Sequence, residues 1–200
     1  MQKGSFVLKA ASAVVAGSLM LAGCTATTNQ GNPVGQSPGS DVAKRAALRT
    51  DADATLSRMY AQVPGSRELV QRARGVLVFP KVVQGGLIVG GEYGEGTLIA
   101  GGSTRGYYNL VSGSLGLQAG AQSKAVVFLF MTNDALTIFL QNRSGWSVGG
   151  DASVALLKMG ANGAVDTTTA TKPVQVVVLT NAGLMADLSL QGMKISPISA

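Results

Sequence analysis

The 200-residue chain contains no histidine and only one cysteine, Cys24. Without imidazole there is no Ser-His-Asp triad. With one thiol there is no internal disulfide, and zinc sites of the usual His/Cys kind are excluded. Aromatic residues make up 5% of the chain. So few Trp and Tyr argue against a transmembrane β-barrel, which needs aromatic girdles at both membrane interfaces. No apolar run reaches the roughly 20 residues that a membrane-spanning helix requires. Within the globular part the longest run is Ala125 to Met131, which fits a buried strand. What is abundant is small and aliphatic: 27 glycines and 46% hydrophobic residues.

The first residues read as an export signal. Lys3 and Lys9 give a positive start, and Ala10 to Ala22 is an apolar run of signal-peptide length. It ends in Leu21-Ala22-Gly23-Cys24, which resembles a bacterial lipobox. The expectation is therefore a signal peptide over residues 1–23, cleaved before Cys24, with that thiol carrying diacylglycerol and the new amino terminus a further acyl chain such as palmitate. One chain gives only marginal anchoring, at ~0.8 kcal/mol per buried CH₂, whereas two or three hold stably. Thr25 stands where an Asp would favour inner-membrane retention. The expected location is the outer membrane, facing the periplasm or the cell surface. From Cys24 to Ser40 the chain is uncharged and rich in Gly, Pro, Ser, Thr, Asn and Gln. Such a segment buries too little surface to offset its ordering entropy, and it reads as a flexible tether. Residues 41–200 are the size of one domain.

Charge is unevenly distributed. Between Asp41 and Lys81 there are eight basic residues: Lys44, Arg45, Arg49, Arg58, Arg67, Arg72, Arg74 and Lys81. Four acids accompany them, Asp41, Asp51, Asp53 and Glu68, whereas after Lys81 six basic and six acidic residues balance. A segment with this excess favours anionic partners. Export makes nucleic acid the wrong one and leaves lipid headgroups or an acidic protein, and on charge alone a merely solvated basic face weighs evenly against a binding role. The eight basic residues are the candidate headgroup-binding set.

Hydropathy periods supply the elements. Leu48, Ala52, Leu56, Met59, Tyr60 and Val63 recur at helical spacing after a cap at Ser40 or Asp41, and Pro64-Gly65 stops the helix. Ser66 is placed to cap a second helix ending at Gly75. Strands are predicted over Val76 to Phe79, through Tyr107 to Gln122, over Ala125 to Met131, from Trp146 to Leu156, over Val174 to Leu179, and from Leu184 to Leu190. Asn133 is placed to cap a short helix to Gln141, and Thr167 to Thr171 reads as a polar loop. Helices followed by about seven strands predict an α+β fold, with N-terminal helices on a glycine-rich, mainly antiparallel β-sandwich or barrel-like sheet.

No catalytic constellation emerges. Glu92, Glu95, Asp134, Asp151 and Asp187 lack the spacing of a glycosidase pair, and solvated or turn roles are expected for them. The run Gly90-Gly91-Glu92-Tyr93-Gly94-Glu95-Gly96 lacks the Gly-Lys-Ser/Thr ending of a P-loop, and its carboxylates would repel phosphate. It reads as a tight turn. The reading is non-enzymatic, with no cofactor and no metal.

Several motifs occur in order: Ala73-Arg74-Gly75-Val76-Leu77-Val78-Phe79-Pro80-Lys81-Val82-Val83, Gly85-Gly86, Val89 to Gly96, Ser114 to Gln122, Val126 to Met131 and Gly149 to Val154. Together they resemble the SYLF domain family, also called Ysc84, over roughly Asp41 to Ile195. The resemblance implies a lipid-binding module. Eukaryotic members bind phosphoinositides, a fungal member also binds actin, and bacterial members are commonly exported or lipidated. It further implies that the basic, amphipathic N-terminal helix meets the membrane, here through Lys44, Arg45, Arg49 and Arg58, with Leu48, Leu56 and Met59 available for insertion. An envelope or host protein partner is the alternative to lipid.

Overall fold

The computed structural model describes residues 38–85, 89–115, 122–151, 153–157, 172–180, 183–184, 190 and 192–198. The expected signal peptide, Cys24 and the expected tether up to residue 37 lie outside the described residues. So do the alternating positions 116–121 and 185–189 and the loop at Thr167 to Thr171. A compact unit spans Gln36–Ala200.

Helix α1 is Pro38–Gln62. Proline suits the first helical turn because its missing N–H would have no intrahelical partner. The helix therefore takes in the last three positions expected of the tether. Gly65, at φ 84°, breaks the chain before α2, Ser66–Arg72. Ser66 is not the cap that its spacing suggests. It is buried, and its hydroxyl donates to the Met59 carbonyl at 3.2 Å, satisfying a group in the last turn of α1.

The strands follow as β1 (Gly75–Gly85), β2 (Val89–Ala100), β3 (Ser103–Leu115) and β4 (Gln122–Phe130). Helix α3 is Asn133–Gln141. After it come β5 (Trp146–Ser147), β6 (Val154–Leu156), β7 (Val174–Thr180), β8 (Gly183–Leu184) and β9 (Lys194–Pro197). The cap of α3 is Thr132, one residue earlier than expected, whose Oγ1 accepts from the Ala135 amide at 3.2 Å. The strand expected from Trp146 to Leu156 is interrupted by a turn at Gly149, where φ is 86°.

One nine-stranded sheet results, in the order β5-β9-β3-β2-β1-β4-β7-β6, with β8 on β7. All its pairings are antiparallel except β6 with β7. The architecture is α+β, and the sheet is a half-barrel. Phe128 on β4 and Trp146 on β5 are five strands apart in that order, which in a flat sheet is roughly 24 Å. Their ring centres are 6.1 Å apart, so the sheet curls until its inner face packs on itself.

Alternation along each strand splits the apolar residues between two cores. The inner face gathers Leu77, Phe79, Phe128, Phe130, Trp146, Val176 and Ile195, with Phe139 of α3 closing one end. The outer face packs Val76, Val78, Val127, Leu129 and Val177 beneath Ala52, Leu56, Met59 and Val63 of α1. Within β1, Pro80 sits at a register shift against both neighbours. That is how a strand interior tolerates a residue with no amide hydrogen.

The run expected as a tight turn, Gly90 to Gly96, is instead the first half of β2. Its glycines make room beside the irregularity in β1. A Cβ on Gly96 would fall on the Val78 carbonyl oxygen, and one on Gly94 would lie 2.8 Å from Val82 Cγ2. Glycine here reflects close approach within a sheet rather than a change of direction.

Candidate binding site

The basic residues of α1 fold back onto the sheet. Lys44 Nζ donates to Glu95 Oε1 on β2 at 2.8 Å, and Tyr93 Oη donates to the same oxygen at 2.9 Å. Burial alone would raise the Glu95 pKa, but the hydrogen bonds from Lys44 and Tyr93 outweigh it and hold the carboxyl below its ordinary value. Arg45 lies over the Tyr107 ring, 5.3 Å from its centre. Arg49 donates to Asp53 at 2.9 Å and to Thr104 on β3 at 3.1 Å. Arg67 stacks on Tyr60 at 4.4 Å. Arg72 and Arg74 are exposed at the end of α2 and just beyond it.

Arg58 and Lys81 are brought together. They line a cavity of about 320 Å³ between α1 and the irregular part of β1, with Asp51, Ala54, Thr55 and Pro80. The Arg58 Nε is buried without a hydrogen-bond partner, and Lys81 is exposed. Neither makes an ion pair among the described residues. An adjoining cavity of about 360 Å³ shares Asp51, Pro80 and Lys81 and extends along the sheet to Leu48, Val83, Tyr93 and Glu95.

The apolar residues assigned to membrane insertion are placed otherwise than expected. Leu56 and Met59 are buried in the outer-face core, because their stripe is what holds α1 to the sheet. Leu48 is half-buried in the groove. Exposed apolar surface appears instead on the sheet. Register places Val83, Tyr93 and Val111 side by side on β1, β2 and β3, at 41%, 46% and 49% exposure. Lys194 of β9 stands next to Val111 in the same row. The following row is Gly85, Gly91 and Gly113, all exposed, so the surface there is bare backbone. Sequence reasoning missed this row because each member lies on a different strand. Only the strand register aligns them.

Glu92 is neither solvated nor in a turn. It is buried on the inner face, where Lys124 Nζ reaches its Oε1 at 2.6 Å across β1. Its Oε2 has no hydrogen-bond partner among the described residues. Asp151 accepts from the Ser147 amide at 2.6 Å and from Asn142 at 3.3 Å, ordering the turn after β5. Both carboxylates are thus in structural use. Among the described residues no three His, Cys, Asp or Glu side chains gather to hold a metal. No described helix is long and apolar enough to cross a membrane.

Residues 111–199, from within β3 through β9, match the family model described as "Ysc84: Las17-binding protein actin regulator". Over that stretch the chain is similar to the Ysc84 family. No curated protein matches the chain. The Ysc84 description is one of binding and regulation rather than of a reaction. The α1 groove lies before the Ysc84 match, whereas Val111, α3 and β9 lie inside it.

Proposed function

We propose that the protein is a lipoprotein of the cell envelope, anchored through acylated Cys24, whose Ysc84 domain binds anionic lipid headgroups. The observation that carries this reading is the composition of the groove beside α1. Exposed Val83 and Tyr93 share it with Lys81, and Arg58 lines the adjoining cavity. An apolar patch next to basic groups suits a bilayer surface: the patch meets the acyl boundary and the cations meet phosphate. Each Lys or Arg near an anionic surface contributes about 1 kcal/mol. That is little for a free protein. It is enough for one whose tether keeps the local lipid concentration high.

The test uses the chain beginning at Thr25, which keeps the compact unit and lacks the anchor. It is floated with vesicles of phosphatidylglycerol in phosphatidylcholine, and with phosphatidylcholine alone. Flotation with the anionic vesicles, weakened by added salt, is expected. Failure with both overturns the lipid reading. In cells, Cys24→Ser is expected to move the protein from the membrane to the soluble fraction. A second reading, an envelope protein partner, is supported by the protein-binding description of the Ysc84 family. Salt-insensitive retention of one partner without vesicle binding favours it.

A further inference from the structure

A separate cavity of about 280 Å³ lies at the end of the half-barrel closed by α3, walled by the start of β3, the C-terminal end of α3 and the end of β9. It shares no residue with the groove beside α1. Arg105 enters from β3 and Arg143 from just beyond α3. Neither makes an ion pair among the described residues. Arg105 uses only its Nε internally, toward the Ala100 carbonyl at 3.4 Å. Tyr108 forms part of the wall. It is 8% exposed, and its hydroxyl has no hydrogen-bond partner among the described residues. Gly106 keeps space for that hydroxyl, since a Cβ there would lie 3.3 Å from it. Burial raises the Tyr108 pKa, so the phenol stays protonated and can donate. Among the described residues no Asp or Glu lines the cavity. The rest of the wall mixes apolar residues, buried Phe139 and Leu140 at 44% exposure among them, with the polar side chains of Tyr107 and Asn142.

We propose that this cavity binds an organic anion, a phosphate or carboxylate group carried on an apolar body. Two arginines and a phenol offer donors with no Asp or Glu among the described lining residues, an arrangement that selects an anionic acceptor. Phe139 and Leu140 supply the surface for the attached body. Phosphate of this kind comes either from a lipid headgroup or from a soluble organic phosphate, and both present the same group to Arg105 and Arg143. The site does not depend on the α1 groove, so it stands or falls separately from the lipid reading above.

The probe is phenyl phosphate, titrated into the chain beginning at Thr25. The readout is the fluorescence of Trp146, the sole tryptophan, whose ring centre is 5.6 Å from that of Phe139. Saturable binding is expected, with neutral benzyl alcohol giving none. Arg143→Gln and Arg105→Gln each weaken it by about tenfold, as loss of one charge-assisted hydrogen bond implies. Both arginines are exposed, and circular dichroism checks that the variants fold. Tyr108→Phe keeps the ring and weakens binding by a smaller factor. Lys172→Gln, at an exposed residue that lines none of these cavities, leaves it unchanged. Displacement by monomeric dihexanoyl phosphatidylglycerol assigns the lipid source, and retained phenyl phosphate binding without displacement assigns a soluble one. Absence of saturable binding, or binding indifferent to both arginine substitutions, overturns the site.

Discussion

Glu92 and Glu95 stand on the same strand, face opposite sides of the sheet, and are each held by a lysine. The inner pair, Lys124–Glu92, has side chains only 10% and 5% exposed, whereas the outer pair, Lys44–Glu95, is 49% and 20% exposed. The inner pair is enclosed by a curled sheet, and its Glu92 Oε2 has no hydrogen-bond partner among the described residues. The outer pair joins a helix to the sheet in reach of water, and its carboxylate also accepts from Tyr93. Ion pairs alike in sequence therefore differ in consequence. Removing one partner inside leaves a charge that water cannot reach. Removing one outside leaves a charge that water can solvate.

The largest expected effect comes from breaking the inner pair. Lys124→Met should cost about 3–5 kcal/mol of unfolding free energy, measured by urea denaturation, because Glu92 is left uncompensated. Adding Glu92→Leu should restore part of that loss. A double variant no more stable than the single one would mean that the pair's geometry, rather than buried charge, carries the effect. Next comes Gly96→Ala on the same face, where a Cβ meets the Val78 carbonyl and the Phe79 ring. Overpacking of this kind costs about 1–3 kcal/mol.

On the outer face, Lys44→Met should cost under about 1 kcal/mol at neutral pH. Because the folded Glu95 pKa is depressed, its contribution is complete above the unfolded carboxylate pKa and is lost as pH falls through the folded value. The difference between variant and parent should thus shrink on acidification, in stability curves taken across the acidic range. Smallest for stability is the paired change Val83→Ser and Tyr93→Ser, since both residues are exposed. Its expected signature is reduced flotation with anionic vesicles at nearly unchanged melting temperature. A matching loss of stability would assign these residues to the scaffold.

The same contrast separates what the sequence conveys from what it does not. Elements with a strong period were legible: α1 by its stripe, β4 and β7 by their aliphatic runs, α3 by its pattern and near cap. The first half of β2 was not. Its glycines carry a turn signal locally, and what overrides it is the approach of β1 at Pro80, a contact between strands. Ser66 misled for a similar reason, since its hydroxyl serves a neighbouring helix. In the candidate site, the basic residues were visible as charge but not by destination. Lys44, Arg45 and Arg49 contact side chains on β2 and β3, while Arg58 and Lys81 meet in one cavity. The row Val83–Tyr93–Val111 was invisible, because neighbours across strands leave no trace in spacing along the chain.

The order of the strands carries a further consequence. The sheet begins at β5, two residues long, and ends at β6, three residues long, with the long strands held between them. Short borders offer few free amides and carbonyls to a strand arriving from another molecule. Ending the sheet on strands of two and three residues guards it against edge-to-edge aggregation wherever copies of it meet.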